Sequence, residues 1–329
     1  MNLRRLDAYF RRLVEEGLLP GAVVLVARGG EVVFQGVYGY LDPGRGLPMR
    51  EDALFRLSSM PKPWVSALAL SFVEEGTLSL LDPVEKYLPE FSGLRVGREV
   101  GEGIVYEPLK RPLTVYDLLR HTAGLTYGVF FRSPVKGLYL EAGVDRFDLS
   151  REVFLERLAA LPLRFQPGET FEYGLATDLL GHLLEALAGR SLAELLEERL
   201  FRPLGMKDSG FQAKDPARLA QPFPKDPETG HSLRLLPVET PPPRYAGGMG
   251  GVGTAADYLA FLEALRLGRG ALSPTMAGFM VQDHLGSLYP EALKRGPEYP
   301  PGPAYSFGLG GAVRVDPMGY SPGALGEPT

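Results

Sequence analysis

The chain contains no cysteine, which excludes disulfides, thiolate metal centres and cysteine nucleophiles together. Histidine is scarce. His121, His182, His231 and His284 are the only four in 329 residues, and they show no H-E-x-x-H or comparable ligand spacing, so no metal site is expected. Positive charge is not in excess: 35 Lys and Arg stand against 40 Asp and Glu, a formal net charge of −5. Without a basic stripe to neutralise a phosphate backbone, nucleic acid is not an expected partner. Long apolar runs are missing too, and none approaches the ~20 residues of a membrane span. The basic residues near the N-terminus are not followed by an uninterrupted apolar segment, as a signal peptide requires. The expectation is a soluble, cytoplasmic protein with no cofactor and no membrane partner.

What is present suits a globular chain. Hydrophobic residues make up 45%, enough to fill a sizeable core at this length. Abundant Arg, Glu, Leu and Pro with a single Trp give a composition of thermophilic character. Leu3, Leu6, Tyr9, Phe10, Leu13 and Val14 recur at helical spacing between charges, which predicts an amphipathic first helix. Two β-rich runs follow, Ala22 to Ala27 and Glu31 to Gly39, joined by Arg28-Gly29-Gly30. The glycines suit the positive φ of a hairpin turn.

From Ser59 to about Leu200 the pattern becomes helical, with starts near Ser59, Thr114, Ser150, Ala176 and Ser191. Thr114 with Asp117, and Ser191 with Glu194, have capping-box spacing. Residues 212–243 are rich in Pro, Asp and Lys and predict a long surface excursion. Thr254 should cap a further helix, and Phe307 to Val315 should form a strand. Strands at both ends with helices between them predict an α+β fold. Residues 1–58 and 245–329 are expected to form the sheet domain, and 59–244 a mainly helical one.

The tetrapeptide Ser59-Met60-Pro61-Lys62 puts a hydroxyl and an amine three residues apart at a helix start, on one face of the first turn. Pro61 and Pro63 support that placement, because first-turn N–H groups have no intrahelical partner to lose. A helix N-terminus also offers N–H groups and a positive field to a developing oxyanion. Serine is a weak nucleophile, and lysine serves as its base only in a suitable environment. Alone, the same tetrapeptide fits equally an N-cap serine beside a surface lysine. A second constellation runs from Phe165 to Gly181, where Tyr173 ends an extended segment before a helix. Tyr173 could relay a proton there; by itself, a tyrosine in that position is more often a packing residue.

Four ordered landmarks decide between these readings: Leu54-Phe-Arg-Leu-Ser-Ser59-Met-Pro-Lys62, Leu113-Thr-Val-Tyr-Asp-Leu-Leu-Arg-His121-Thr-Ala-Gly124-Leu125, Pro203-Leu-Gly-Met206 and Gly247-Gly-Met-Gly250. Together they resemble the class C β-lactamase and penicillin-binding-protein-like serine hydrolases, from about residue 5 onward. The resemblance implies a serine β-lactamase-like fold, its antiparallel sheet drawn from both chain ends around a helical insert. It also implies Ser59 as acylated nucleophile, Lys62 as general base and Tyr173 as second proton carrier. Where β-lactamases and D-amino-acid peptidases of this family show Tyr-x-Asn, this chain has Tyr173-Gly174-Leu175. Leu175 as a substrate-binding residue makes the expected site more apolar. The implied function is hydrolysis of a small-molecule acyl ester, with β-lactamase or D-amino-acid peptidase activity as the alternative. The family's third element, Lys/His-Thr-Gly or Trp-Gly-Gly, is expected after 307–315, and no such triplet precedes Thr329. Its strand would supply the second oxyanion donor, so an inactive binding protein is a further alternative.

Two other motifs fail on context. Gly248-Met249-Gly250-Gly251-Val252-Gly253 matches the dinucleotide pattern, but the prolines 241–243 before it cannot belong to a central parallel strand. The glycines are expected to permit close backbone packing beside the cleft. Gly319-Tyr320-Ser321-Pro322-Gly323 matches a nucleophile elbow, yet no histidine follows it, so it reads as a turn. His121 is expected to be a hydrogen-bonded structural residue, and Asp178 with His182 a helix-surface pair.

Overall fold

The computed structural model describes residues 3–130, 132–233, 235–289, 291 and 304–315. Helix α1 (Leu3–Glu15) precedes the hairpin β1 (Gly21–Arg28) and β2 (Glu31–Asp42). The strands pair antiparallel from Gly21↔Gly39 to Arg28↔Glu31. Gly29 (φ 65°) and Gly30 (φ 92°) form the turn, as the two-residue glycine link predicts. Phe10 of α1 stacks on Tyr38 of β2 at 5.4 Å, and Tyr38 Oη donates to Asp7 Oδ1 at 2.9 Å. These contacts dock the apolar stripe of α1 on the hairpin.

Strand β3 (Leu47–Pro48) extends that sheet, and β4 (Phe55–Arg56) leads into α2 (Lys62–Glu74). The hairpin β5 (Arg95–Val100) and β6 (Gly103–Pro108) is followed by α3 (Val115–Leu119), α4 (Pro134–Ala142), α5 (Arg151–Ala159), α6 (Ala176–Ala188), α7 (Leu192–Leu196) and α8 (Arg202–Leu204). Then come β7 (Val252–Gly253), α9 (Ala255–Leu267), α10 (Pro274–Met280), β8 (Tyr305–Phe307) and β9 (Ala312–Arg314).

Both predicted capping boxes form, with Thr114 and Ser191 accepting from the N3 amides and Asp117 and Glu194 reaching back. Thr254 caps α9 through Asp257 N–H. Residues 212–243 run over the surface with little regular structure. One expectation changes. Phe307 to Val315 is not one strand but the end of β8, a turn and β9 of a hairpin, because Gly310 at φ 92° turns the chain between them. Gly310 N–H donates to the Leu119 carbonyl at 2.9 Å, and a methyl at Gly310 would sit 2.2 Å from Ser66 Oγ of α2. The described part of this hairpin thus docks on the helices, while β1 pairs only with β2 among the described residues. The Gly319–Gly323 turn and the place expected for the third family element lie outside the described residues.

The main core wraps α2, whose residues from Trp64 to Phe72 are all buried. A helix apolar on every side belongs in the interior. It packs against α6, α7 and α10, with Trp64 edge-on to Phe201 at 5.0 Å. This burial fixes the one end of α2 that matters most. No helix among the described residues is long and apolar enough to cross a membrane.

Candidate active site

Ser59 sits in the tight turn between β4 and α2, and Lys62 is the first helical residue. The helix therefore starts three residues later than the sequence pattern indicates. The turn is held from both sides: Met60 N–H donates to Leu57 O at 2.8 Å, and Leu57 N–H to Gly251 O at 2.8 Å. Strand β4 also pairs with β7 through Phe55↔Gly253 and Arg56↔Val252. Ser58 stands at φ 44°, a conformation that costs about 1–3 kcal/mol and persists only where the surroundings impose it. Pro61 occupies the N-cap of α2 with no side-chain cap, Pro61 and Pro63 carry no N–H, and Lys62 N–H donates to Ser59 O at 3.3 Å, so what α2 presents to Ser59 is chiefly the positive end of its dipole.

Lys62 is 2% exposed. Its Nζ lies 3.0 Å from Ser59 Oγ and 2.6 Å from the Gly248 carbonyl, so the sequence pair is a contact and Lys62 is not a surface residue. Tyr173 joins them from the segment before α6. Lys62 Nζ stands over the Tyr173 ring, 4.7 Å from its centroid, and 5.8 Å from that of Tyr127. The Lys62–Tyr173 contact is to the ring face.

Tyr173 is oriented by His121. The two rings stack at 4.9 Å, Glu172 N–H donates to His121 O at 2.8 Å, and Gly174 N–H donates to His121 Nδ1 at 3.4 Å. With Nδ1 accepting, Nε2 carries the proton and faces Thr177 Oγ1 at 3.4 Å. Burial, reinforced by the nearby Lys62 charge, pushes the His121 pKa down to about 3. The imidazole is neutral, as a hydrogen-bonded structural residue should be. His121 itself has φ 57°. Ser58 and His121 are the two non-glycine residues at positive φ among those described, and both adjoin the site. Gly174 is required here, because a methyl on it would meet the Leu125 carbonyl at 2.3 Å.

Leu175 lies at the N-cap of α6, but it is 1% exposed and packs within the main core. Contact with substrate from there would require the cleft to open onto it. The glycine run does what close packing predicts: methyls at Gly247, Gly248 and Gly251 would meet Thr177 O at 2.7 Å, Asp178 Oδ2 at 2.2 Å and Pro61 Cγ at 2.4 Å.

The expected Asp178–His182 surface pair is absent. Both residues are fully buried because the first nine residues of α6 face the core. His182 Nδ1 instead meets Glu185 Oε2 at 2.7 Å, and Asp178 Oδ1 pairs with Arg244 Nη1 at 3.4 Å. This buried pair, which the sequence pattern missed, stands beside Tyr127 and Asp145. Burial raises the Tyr127 phenol far above its usual range, with the Asp178 charge adding to it. Burial likewise pushes Asp145 up to about 6, and Asp178 contributes in the same direction. A cavity of about 410 Å³, lined by Phe147, Phe211, Leu236, Arg244, Ala246 and Gly250 among others, borders the same 244–250 segment. Ser59, Lys62 and Tyr173 do not line it.

Comparison with known proteins places the family. Residues 6–326 match the family model described as Beta-lactamase. "Esterase EstB" of Burkholderia gladioli is 37% identical over 333 residues, which span 95% of this chain and 80% of that protein. "Lovastatin esterase" of Penicillium rubens is 29% identical, spanning 97% and 82%. Among solved structures, "EstCE1, a hydrolase with promiscuous acyltransferase activity" superposes with a TM-score of 0.79 at 33% identity, covering 95% of this chain and 83% of its own. Simvastatin synthase (LovD) of Aspergillus terreus shares the fold with a TM-score of 0.79 at 24% identity, covering 95% and 83%. By its family match, its fold and its esterase neighbours, this chain belongs to the beta-lactamase/transpeptidase-like family of serine hydrolases.

Proposed function

We propose that the chain hydrolyses small carboxylic esters through a covalent acyl-enzyme on Ser59. The observation that carries this reading is the 3.0 Å contact between Ser59 Oγ and Lys62 Nζ at the start of a buried helix. The 37% identity to an esterase over 95% of the chain supports the choice of substrate class.

In this reading Lys62 takes the Oγ proton as Oγ attacks the ester carbonyl carbon. The carbonyl oxygen becomes an oxyanion, stabilised by the Ser59 N–H and the positive end of the α2 dipole. Collapse breaks the bond to the leaving alkoxide, which receives its proton from Lys62 with Tyr173 as second carrier. Water then attacks the acyl-enzyme along the reverse proton path, releasing the acid and restoring the Ser59 hydroxyl. Any proton that Tyr173 carries passes through its hydroxyl, and His121, stacked on the ring at 4.9 Å, fixes where that hydroxyl stands.

In the pattern Tyr173-Gly174-Leu175 the asparagine amide that would serve an amide substrate is missing, which favours esters over β-lactams. Intact mass and peptide mapping after treatment with a fluorophosphonate test the nucleophile. The expected result is one adduct, on Ser59, and hydrolysis of short p-nitrophenyl esters in preference to penicillin-type lactams. Folded protein without an adduct, or unchanged esterase activity in Ser59→Ala, overturns the assignment.

A further inference from the structure

We infer that the buried Asp178–Arg244 pair is a positioning device for Lys62, acting through the Gly248 carbonyl. The inference rests on the reading of Ser59 as nucleophile and Lys62 as its base. A lysine amine on a flexible four-carbon stem has no preferred direction of its own. To accept the serine proton, Nζ must keep a lone pair on Oγ, which requires its N–H groups to be engaged elsewhere. The Gly248 carbonyl at 2.6 Å from Nζ is such an acceptor, and its placement decides where the lone pair points.

Gly248 belongs to a glycine-rich segment whose far side is tied by Leu57 N–H to Gly251 O at 2.8 Å, and its near side needs a hold of its own. Asp178 supplies one at two points. Its Oδ1 pairs with Arg244 Nη1 at 3.4 Å, four residues before Gly248 on the same segment. Its Oδ2 lies so close to the Gly248 Cα that a methyl there would sit 2.2 Å away. Arg244 is fixed in turn: its Nη2 donates to Arg146 O at 3.3 Å, and its guanidinium lies 4.0 Å from the centroid of the Phe154 ring. Asp178 occupies the first turn of α6, five residues after Tyr173. One helix end therefore governs both the ring over Lys62 and the carbonyl that accepts from it. A pair whose two side chains are 0% and 2% exposed is a weak source of net stability compared with apolar residues of the same volume. Placement of the 244–248 segment gives it a purpose.

The test compares wild type, Asp178→Asn, Gly248→Ala and the Asp178→Asn/Gly248→Ala double variant, each checked for folding by circular dichroism. A neutral pair, Asp178→Asn with Arg244→Gln, avoids leaving a buried cation alone should Asp178→Asn not fold. The measurements are kcat and KM on p-nitrophenyl acetate and the fluorophosphonate labelling rate of Ser59. Asp178→Asn and the neutral pair are expected to lower kcat and labelling about 10–100-fold, with KM within about twofold. Gly248→Ala should lose as much, and the double variant no more than Gly248→Ala alone, since both changes act on one carbonyl. A folded Asp178→Asn or neutral-pair variant that loses thermal stability but keeps kcat overturns the inference. Losses that multiply in the double variant overturn it equally. Wild type that fails to label at Ser59 overturns the nucleophile reading, and this inference with it; the other two results leave that reading intact.

Discussion

The helices that build the scaffold begin differently from those that carry the site. In α3, α4, α5, α7, α9 and α10 a Ser or Thr side chain accepts an amide proton from the first turn. Helices α2 and α6 have no side-chain cap, their N-caps being Pro61 and Leu175; α8 lacks one too, but it continues the helical turn of residues 197–201. Helices α2 and α6 are those that follow Ser59 and Tyr173. The two strained non-glycine residues, Ser58 and His121, adjoin the same two places. Local rules are kept where the only task is stability and broken where the candidate site brings a hydroxyl and an amine together. The buried surface of α2 and α6 offsets what their missing caps and strained neighbours cost.

The sharpest way to break this comparison is to remove a side chain from each group. Ser59→Ala or Lys62→Met should abolish esterase turnover and labelling, by at least about 10³-fold, while the melting temperature stays near or above that of wild type. A large loss of stability instead would make the Ser59 turn a folding element.

His121 provides a pH test. Its pKa is held near 3 in the folded protein against an ordinary 6.5, so the unfolded chain binds the extra proton first. Stability should therefore fall as pH drops from about 6.5 toward 3, and His121→Gln should flatten that fall in melting temperatures measured across the range. Asp145 has the opposite sign. Its folded pKa of about 6 against 3.8 means that its contribution is present at low pH and lost as pH rises through 6. Asp145→Asn should accordingly gain stability relative to wild type at pH 8 compared with pH 4.

On the scaffold side, Thr114→Ala removes a cap and a hydrogen bond to the fully buried Asp117 at 2.8 Å. It should cost about 1–2 kcal/mol in urea unfolding with kcat unchanged. Ser150→Ala, which loses the bond from Val153 N–H and one to the exposed Glu152 carboxylate, should cost nearer ~1 kcal/mol. If either cap variant lowered kcat more than stability, the division between scaffold and site would fail.

The sequence by itself determined the features that depend on neighbours along the chain. The β1–β2 hairpin follows from two glycines in a two-residue link, and the capped helix starts follow from hydroxyl and carboxylate spacing, because both are settled within four residues. The Ser59–Lys62 pair was readable because the two residues are only three apart, although it is the tight turn before α2, not the helix expected there, that brings them together. Tertiary structure decided what lies far apart in sequence. Asp178 meets Arg244 across 66 residues, Lys62 meets Gly248 across 186, and α6 presents to the core residues whose spacing alone suggested a surface pair. The hairpin at 305–314 escaped the sequence for a related reason: Gly310 is forced to turn where Ser66 of α2 leaves no room for a side chain. Local spacing determines which groups are adjacent on one element, whereas burial and charge pairing between elements exist only after the chain has packed.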